Sequence, residues 1–382
     1  MSVFGVSIIQ DSKVLLVNLA KKTSKVVELN LANLNFAWPL NSQLIVSDDQ
    51  KYLTLFDLKA DPIEAEFIAK FKLPKRLTHG WVSNSKVYYW DKFGDCNSVE
   101  IQTIIDHGKK VNDYLDTKVS LKGDEASEAG EGGKEAENQG GDQGEGGANG
   151  EGQGEAHGEG GDQNAADDQA QKGINKDAPL AQYVKMEAGN FSTLTANQTI
   201  TLNNGGKAIA LGDQYYKVRI FDFPDLHTLR TSVAFRKRWV TSLAYIGDSL
   251  YLIFDDNQIY RVDQKEIESS GNNPEWIQKV AGVENFNPDG LSMEFLGNWG
   301  NGLTLLLGSS KVLRLGVKQQ EGAEGASGKF EFVVSSEEVY GDSNILPLET
   351  GGDWESEAGL GSKNWYAVMN AEAYEVNQIV NY

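Results

Sequence analysis

Short apolar runs separated by polar turns dominate this chain. "KVLLVN" (13–18), "KVVELN" (25–30), "QLIVSD" (43–48), "YLTLFD" (52–57) and "KVYYWD" (86–91) are rich in Val, Ile, Leu, Tyr and Phe, and Asp, Asn, Ser or Gly bound them. The same pattern returns in "KAIALGD" (207–213), "KVRIFDF" (217–223), "SLYLIFD" (249–255), "QIYRVD" (258–263) and "KVLRLG" (311–316). Runs this short, ending in turn formers, predict β-strands joined by tight turns. Long stretches of 3.6-residue periodicity are scarce, so the predicted class is all-β.

The predicted strands pair into recurring hairpins: a strand, an Asp-rich turn, then a strand of alternating apolar residues. "SDDQKYLTLFD", "FGDCNSVEIQ", "GDQYYKVRIFD", "FDDNQIYRVD" and "LGSSKVLRLG" follow one another at 41 to 53 residues where no long insertion intervenes. Units of roughly 40–45 residues with four strands are the period of a propeller blade. Self-similarity at that period argues for radial blades rather than a sandwich. The expectation is a WD-repeat-like β-propeller of seven four-stranded blades.

Composition changes this picture in one place. Residues 122–175 contain almost nothing that can be buried: from Lys122 to Gly173 there is no aromatic residue and no Val, Ile or Leu. That stretch carries 14 acidic and 3 basic side chains, a net −11 of the chain's −20. A segment that cannot offset its ordering entropy by burial is expected to be disordered. The chain is therefore read as one propeller in two parts, 1–121 and 176–382, interrupted by a disordered acidic insert at 122–175 that occupies a loop within or between blades. The remaining −9 is unremarkable, and low pI by itself excludes no nucleic-acid role.

The single cysteine, Cys96, permits no intramolecular disulfide and no thiolate metal site, which fits a reducing compartment. The opening "MSVFGVSIIQDSK" lacks the basic and long apolar regions of a secretory signal. Catalytic chemistry finds little support. The glycines at 130–161 are interleaved with Glu and Asp, follow no strand and open no helix, so they would repel a phosphate rather than cradle one. No Ser/His/Asp triad can be assembled by spacing from four histidines. A metal site from His79, His107 and His227 is open by residue type, but surface histidines are the favoured reading.

The only Trp-Asp dipeptide, Trp90-Asp91, closes a second strand rather than the third, where that dipeptide ends a regular repeat. The third-strand slots hold "FD" (56–57, 221–222) and "VD" (262–263), and the usual Gly-His pairs are absent. The dipeptide itself is therefore chance, and the information lies in "DKFGD" (91–95). Preceded by "LPKR" (73–76), it resembles a motif of the WD-repeat non-catalytic subunit of the tRNA guanine-N7 methyltransferase. In that family a strand ending Ala-Asp-Lys-Phe-Gly-Asp follows a Lys-Arg-Pro segment. "GNFSTLT" (189–195) is similar to the family's Gly-His-hydrophobic-Ser-Met-Leu-Thr, with Asn190 in place of His. "GDQYYKVRI" (212–220) and "AFRKRWVTSL" (234–243) match two later elements, in the family's order.

The resemblance implies a nuclear, non-catalytic subunit. It would hold the catalytic subunit in its active state for 7-methylguanosine formation in the tRNA variable loop. It implies no cofactor in this chain and S-adenosylmethionine on the partner. Its docking side would carry Lys237 and Arg219, and Arg236 and Arg238 flank Lys237 beside Trp239. Basic residues next to an aromatic suit a protein interface or RNA phosphates. Lys75, Arg76 and Lys92 are further candidate partner or RNA contacts, and Lys72 could extend that patch. A propeller scaffold without any RNA role is the alternative, and an enzymatic propeller finds less support.

Overall fold

The computed structural model describes residues 4–110, 181–188, 193–201, 206–223, 226, 229–235, 238–263, 277–299, 301–320, 329–351 and 365–381. The whole acidic insert, with both of its expected boundaries at 121/122 and 175/176, lies outside them. The strands form seven antiparallel meander sheets. Blade 1 contains β1 (Phe4–Gln10), β2 (Lys13–Asn18) and β3 (Thr23–Glu28). Blade 2 contains β4 (Leu34–Leu40), β5 (Gln43–Asp48), β6 (Tyr52–Ala60) and β7 (Ile63–Lys72). Blade 3 contains β8 (Leu77–Ser83), β9 (Lys86–Asp91), β10 (Cys96–Glu100) and β11 (Lys185–Ala188). Blade 4 contains β12 (Leu194–Thr201), β13 (Lys207–Asp213), β14 (Lys217–Asp222) and β15 (Leu229–Ala234). Blade 5 contains β16 (Val240–Ile246), β17 (Ser249–Phe254), β18 (Ile259–Asp263) and β19 (Ile277–Lys279). Blade 6 contains β20 (Met293–Trp299), β21 (Gly302–Leu307), β22 (Lys311–Gln320) and β23 (Lys329–Val339). Blade 7 contains β24 (Ser343–Leu348), β25 (Trp365–Asn370) and β26 (Glu375–Asn381).

The first strands adjoin between blades 1 and 2, 2 and 3, 4 and 5, 5 and 6, and 7 and 1, which makes them the inner ring. Second strands are buried almost throughout, because blade neighbours cover both faces: β5, β9, β17 and β21 are each buried over five or six consecutive residues. This burial on two faces produces the continuous apolar runs seen in the sequence. The first strands of blades 2–6 break their ladders at Asn35, Thr78, Thr195, Thr241 and Leu296. Such bulges re-aim a strand and increase its twist. At two of them a threonine hydroxyl donates to the second strand, Thr78 Oγ1 to the Trp90 carbonyl at 3.2 Å and Thr241 Oγ1 to the Ile253 carbonyl at 3.3 Å.

Among the described residues, five blades carry the expected four strands, while the first and last carry three. Three strands return the chain to the end opposite its start. Blade 1 accordingly runs against its neighbours: Val6 pairs antiparallel with Glu349, and Leu34 N–H at the start of β4 donates to Asp11 O, just past the end of β1, at 2.7 Å. Among the described residues, the ring closes without exchanging a strand. Val6 and Glu349 trade both backbone hydrogen bonds at 2.8 Å. Leu15 and Val17 of blade 1 pack with Leu348 and Ala367 of blade 7 in one buried cluster. Beyond Glu349, Gly351 lies against blade 2 at φ +62°, where a Cβ would fall 1.6 Å from the Pro39 carbonyl oxygen.

The insertion enters inside blade 3, between its third and fourth strands. A short helix, α1 (Ile101–His107), follows β10 and buries Ile101 and Ile104. Lys109 then exchanges backbone hydrogen bonds with Lys70 of β7, at 2.7 and 2.9 Å. On the return side Tyr183 stacks on His107, with centroids 4.1 Å apart. Among the described residues, no helix is long and apolar enough to cross a membrane.

Candidate partner-binding face

In a four-stranded meander, the turn between second and third strands and the link from the preceding blade meet at the same end. Backbone hydrogen bonds tie the two together in successive blades. Asp49 N–H donates to the Asn33 carbonyl, Lys92 to Arg76, Gln214 to Thr193 and Asp255 to Trp239, at 2.9–3.1 Å. The second strand repeatedly closes on an Asp or Asn whose carboxyl or amide oxygen accepts the N–H groups of the turn. Asn18, Asp48, Asp91, Asp213 and Asn370 all do this. This is the Asx-turn device. In blade 1, reversed as it is, Asn18 sits at the opposite end.

The DKFGD turn is the most elaborate case. Asp91 has no exposed surface. Its Oδ1 accepts from Phe93 N–H at 2.8 Å and Asp95 N–H at 3.3 Å, and its Oδ2 accepts from Asn97 Nδ2 at 3.2 Å. Gly94 takes φ +84°, which only glycine adopts without strain. Lys75, from the link before β8, reaches Asp91 at 3.1 Å and Asp95 at 2.9 Å. The Asp95 and Asp91 hydrogen bonds hold the Lys75 ammonium above its ordinary pKa of 10.5. Arg76 reaches back to Asp49 of blade 2 at 2.5 Å. Lys92 is exposed and lies 4.9 Å from the Phe93 ring centroid. Lys75 and Arg76 are therefore ion-paired within the propeller although their side chains remain 40% and 45% exposed, and Lys92 lies exposed on the turn itself. Lys72 lies over the Tyr52 ring.

Arg219 lies on β14, largely buried, with its guanidinium 3.6 Å from Asp213. It braces the acid that shapes the β13–β14 turn. Arg238 precedes β16. It donates to Tyr260 Oη at 2.8 Å, meets Asp256 at 3.2 Å and covers the Phe254 and Tyr260 rings. Trp239 stacks on Tyr216 with centroids 6.2 Å apart and an interplanar angle of 18°. Arg236 and Lys237 lie outside the described residues. So does His227, whereas His79 sits on β8 and His107 ends α1. Among the described residues no group of three or more His, Cys, Asp or Glu side chains could hold a metal. Cys96 is buried, and that burial pushes its thiol far above the ordinary range.

Sequence reasoning missed the most exposed part of this face. Phe93 is 60% exposed, Tyr215 72%, Trp239 39% and Leu291 42%, and all four sit in turns or links at this one end of blades 3 to 6. Only Trp239 stood out beforehand. The available signal was an aromatic residue two positions beyond the turn Asp, in "DKF" and "DQY", where polar residues are the norm.

No protein-family profile matches the chain, and no curated protein sequence matches it. Solved structures do. A chain of the mitotic checkpoint complex aligns with TM-score 0.50 over 99% of this chain and 83% of its own, at 8% identity. Hsv2p of Kluyveromyces lactis aligns at 9% identity over 89% of this chain and 84% of its own, with TM-score 0.45. The computationally designed Ika8 protein aligns at 8% identity over 100% and 84%, with TM-score 0.45. At such identities the likeness concerns the fold alone. Together with the seven meander sheets, the alignment to the checkpoint-complex chain establishes this chain as a seven-bladed β-propeller.

Proposed function

We propose that this chain is the non-catalytic subunit of a tRNA guanine-N7 methyltransferase, working in the nucleus. It binds the subunit that carries S-adenosylmethionine and holds it in the state that methylates a guanine in the tRNA variable loop. The observation that carries this reading is convergence. "LPKR", "DKFGD", "GDQYY" and the link ending in Arg238-Trp239 are spread between residues 73 and 239, yet they meet at one end of three consecutive blades. Chain segments that resemble a docking family and also share one face support a docking surface. That the face is built from fastened turns supports binding rather than chemistry, since a preformed surface loses little entropy on association.

The test is co-purification. The tagged full chain and the catalytic methyltransferase subunit from the same organism are expressed together, and the reading predicts a stoichiometric heterodimer. If the two chains elute apart, the assignment fails and a propeller scaffold in some other assembly takes its place.

A further inference from the structure

The end that carries the DKFGD turn is polarised. On blades 2 to 4 its exposed charges include Lys51, Lys92 and Lys217. On blades 5 to 7 they include Asp255, Asp289 and Asp342. The Arg238–Asp256 pair marks the seam between the two halves. Across the seam runs the arc of Phe93, Tyr215, Trp239 and Leu291, the last 3.7 Å from where a Cβ on Gly308 would stand. Exposed large apolar side chains in turns, at successive blades of one end, are not scattered surface residues.

We propose that this arc is the apolar core of an interface with a protein whose surface is acidic opposite blades 2–4 and the link into β16, and basic opposite the β17–β18 turn and blades 6 and 7. The proposal builds on the function proposed above and names the contacts that fix the partner's orientation. Aromatic side chains in the middle of a contact, ringed by charge, are the usual energetic centre of a protein interface. The charge polarity selects the class of partner. A nucleic-acid backbone is uniformly anionic and would be repelled by the carboxylates of blades 5–7. A folded protein can offer both signs at once, and the opposed halves admit a single docking register.

The experiment places a photo-crosslinking benzoylphenylalanine at Tyr215 in one sample and at Leu291 in another, in the full chain expressed in its own cells. Both positions should give an adduct with one and the same protein. Adding Leu291→Ser to the first sample, or Tyr215→Ser to the second, should lower its yield at least ten-fold. The paired reversal Lys217→Glu with Asp289→Lys should lower it similarly. These are exposed turn positions, and a melting curve checks that each variant is folded. Adducts with RNA or with a second copy of this chain would overturn the proposal. So would the absence of an adduct, or a protein adduct indifferent to the substitutions. If the protein is found and responds but is not a methyltransferase, the interface stands and the function proposed above falls.

Discussion

Asp91 has no exposed surface, yet it stands at a turn only two residues from Phe93, one of the most exposed aromatics of the molecule. The contrast explains the motif. The carboxylate satisfies two turn N–H groups and an asparagine amide, and so holds the aromatic outward in a fixed pose. Removing an acceptor leaves buried donors without partners, which costs more than losing an exposed ion pair. Asp91→Ala should therefore lower stability by about 2–3 kcal/mol. Lys75→Ala should lower it by about 1 kcal/mol or less, because the Lys75 side chain is 40% exposed and water can replace it. Urea unfolding of the two variants measures the difference, and equal losses would contradict this account of the turn. Lys237 belongs to the same scale. Three positions before β16 in the sequence, Lys237→Glu should change stability by less than ~0.5 kcal/mol if it is the exposed charge the sequence implies. If it faces a carboxylate of the catalytic subunit, it should weaken binding by ~2–5 kcal/mol. Calorimetry with the purified subunit reads that change directly.

Among elements, the second and third strands of blades 1 to 6 were legible, whereas their other strands and all of blade 7 were not. β2, β5, β9 and β13 have the bounds that the apolar runs predict, because each is sandwiched between neighbouring blades. The first strands of blades 2–6 carry a bulge, which breaks the alternation on which strand recognition depends. The fourth strands are outer edges with mixed exposure, as in β23, where buried and exposed residues follow no simple period. The three-stranded first blade was hidden for another reason: nothing local reports which way a blade runs. The missed aromatic arc shares that cause, since its members adjoin only after the blades are stacked. Ring closure gives the sharpest test at this scale. Gly351→Ala drives a Cβ into the Pro39 carbonyl at a positive φ and should cost roughly 2–4 kcal/mol. Gly341→Ala, at φ +57° with open space around it, should cost only about 1–2 kcal/mol. Thermal melts distinguish the two.

The outer strand of blade 3 should respond to acid. Burial opposes ionisation of Glu187, but hydrogen bonds from Lys185 and Ser98 outweigh it and hold the carboxyl below its ordinary 4.5. A depressed folded-state pKa contributes stability that is present above 4.5 and lost as pH falls through the lower folded value. Hydrogen exchange at β11 should therefore accelerate below pH 4.5, and Glu187→Gln should remove that dependence. An unchanged acid response in the variant would show that another group controls it.

At the scale of the whole molecule, a propeller interrupted inside one blade still closes, because both sides of the interruption are fastened. Lys109 is bonded into blade 2, and Tyr183 rests on His107. Deleting 122–175, a stretch with little to bury, should accordingly leave the melting temperature within a few degrees and partner binding intact. A larger drop would mean that the insert contributes to the fold. The function proposed above has this chain enable methyl transfer without performing it. The direct measurement is 7-methylguanosine formation on the organism's tRNA, with S-adenosylmethionine, by this chain alone, by the catalytic subunit alone and by the two together. The account predicts no product from the propeller alone and robust product only from the pair. Product from the propeller alone, or a partner whose activity is the same with and without it, would contradict the account.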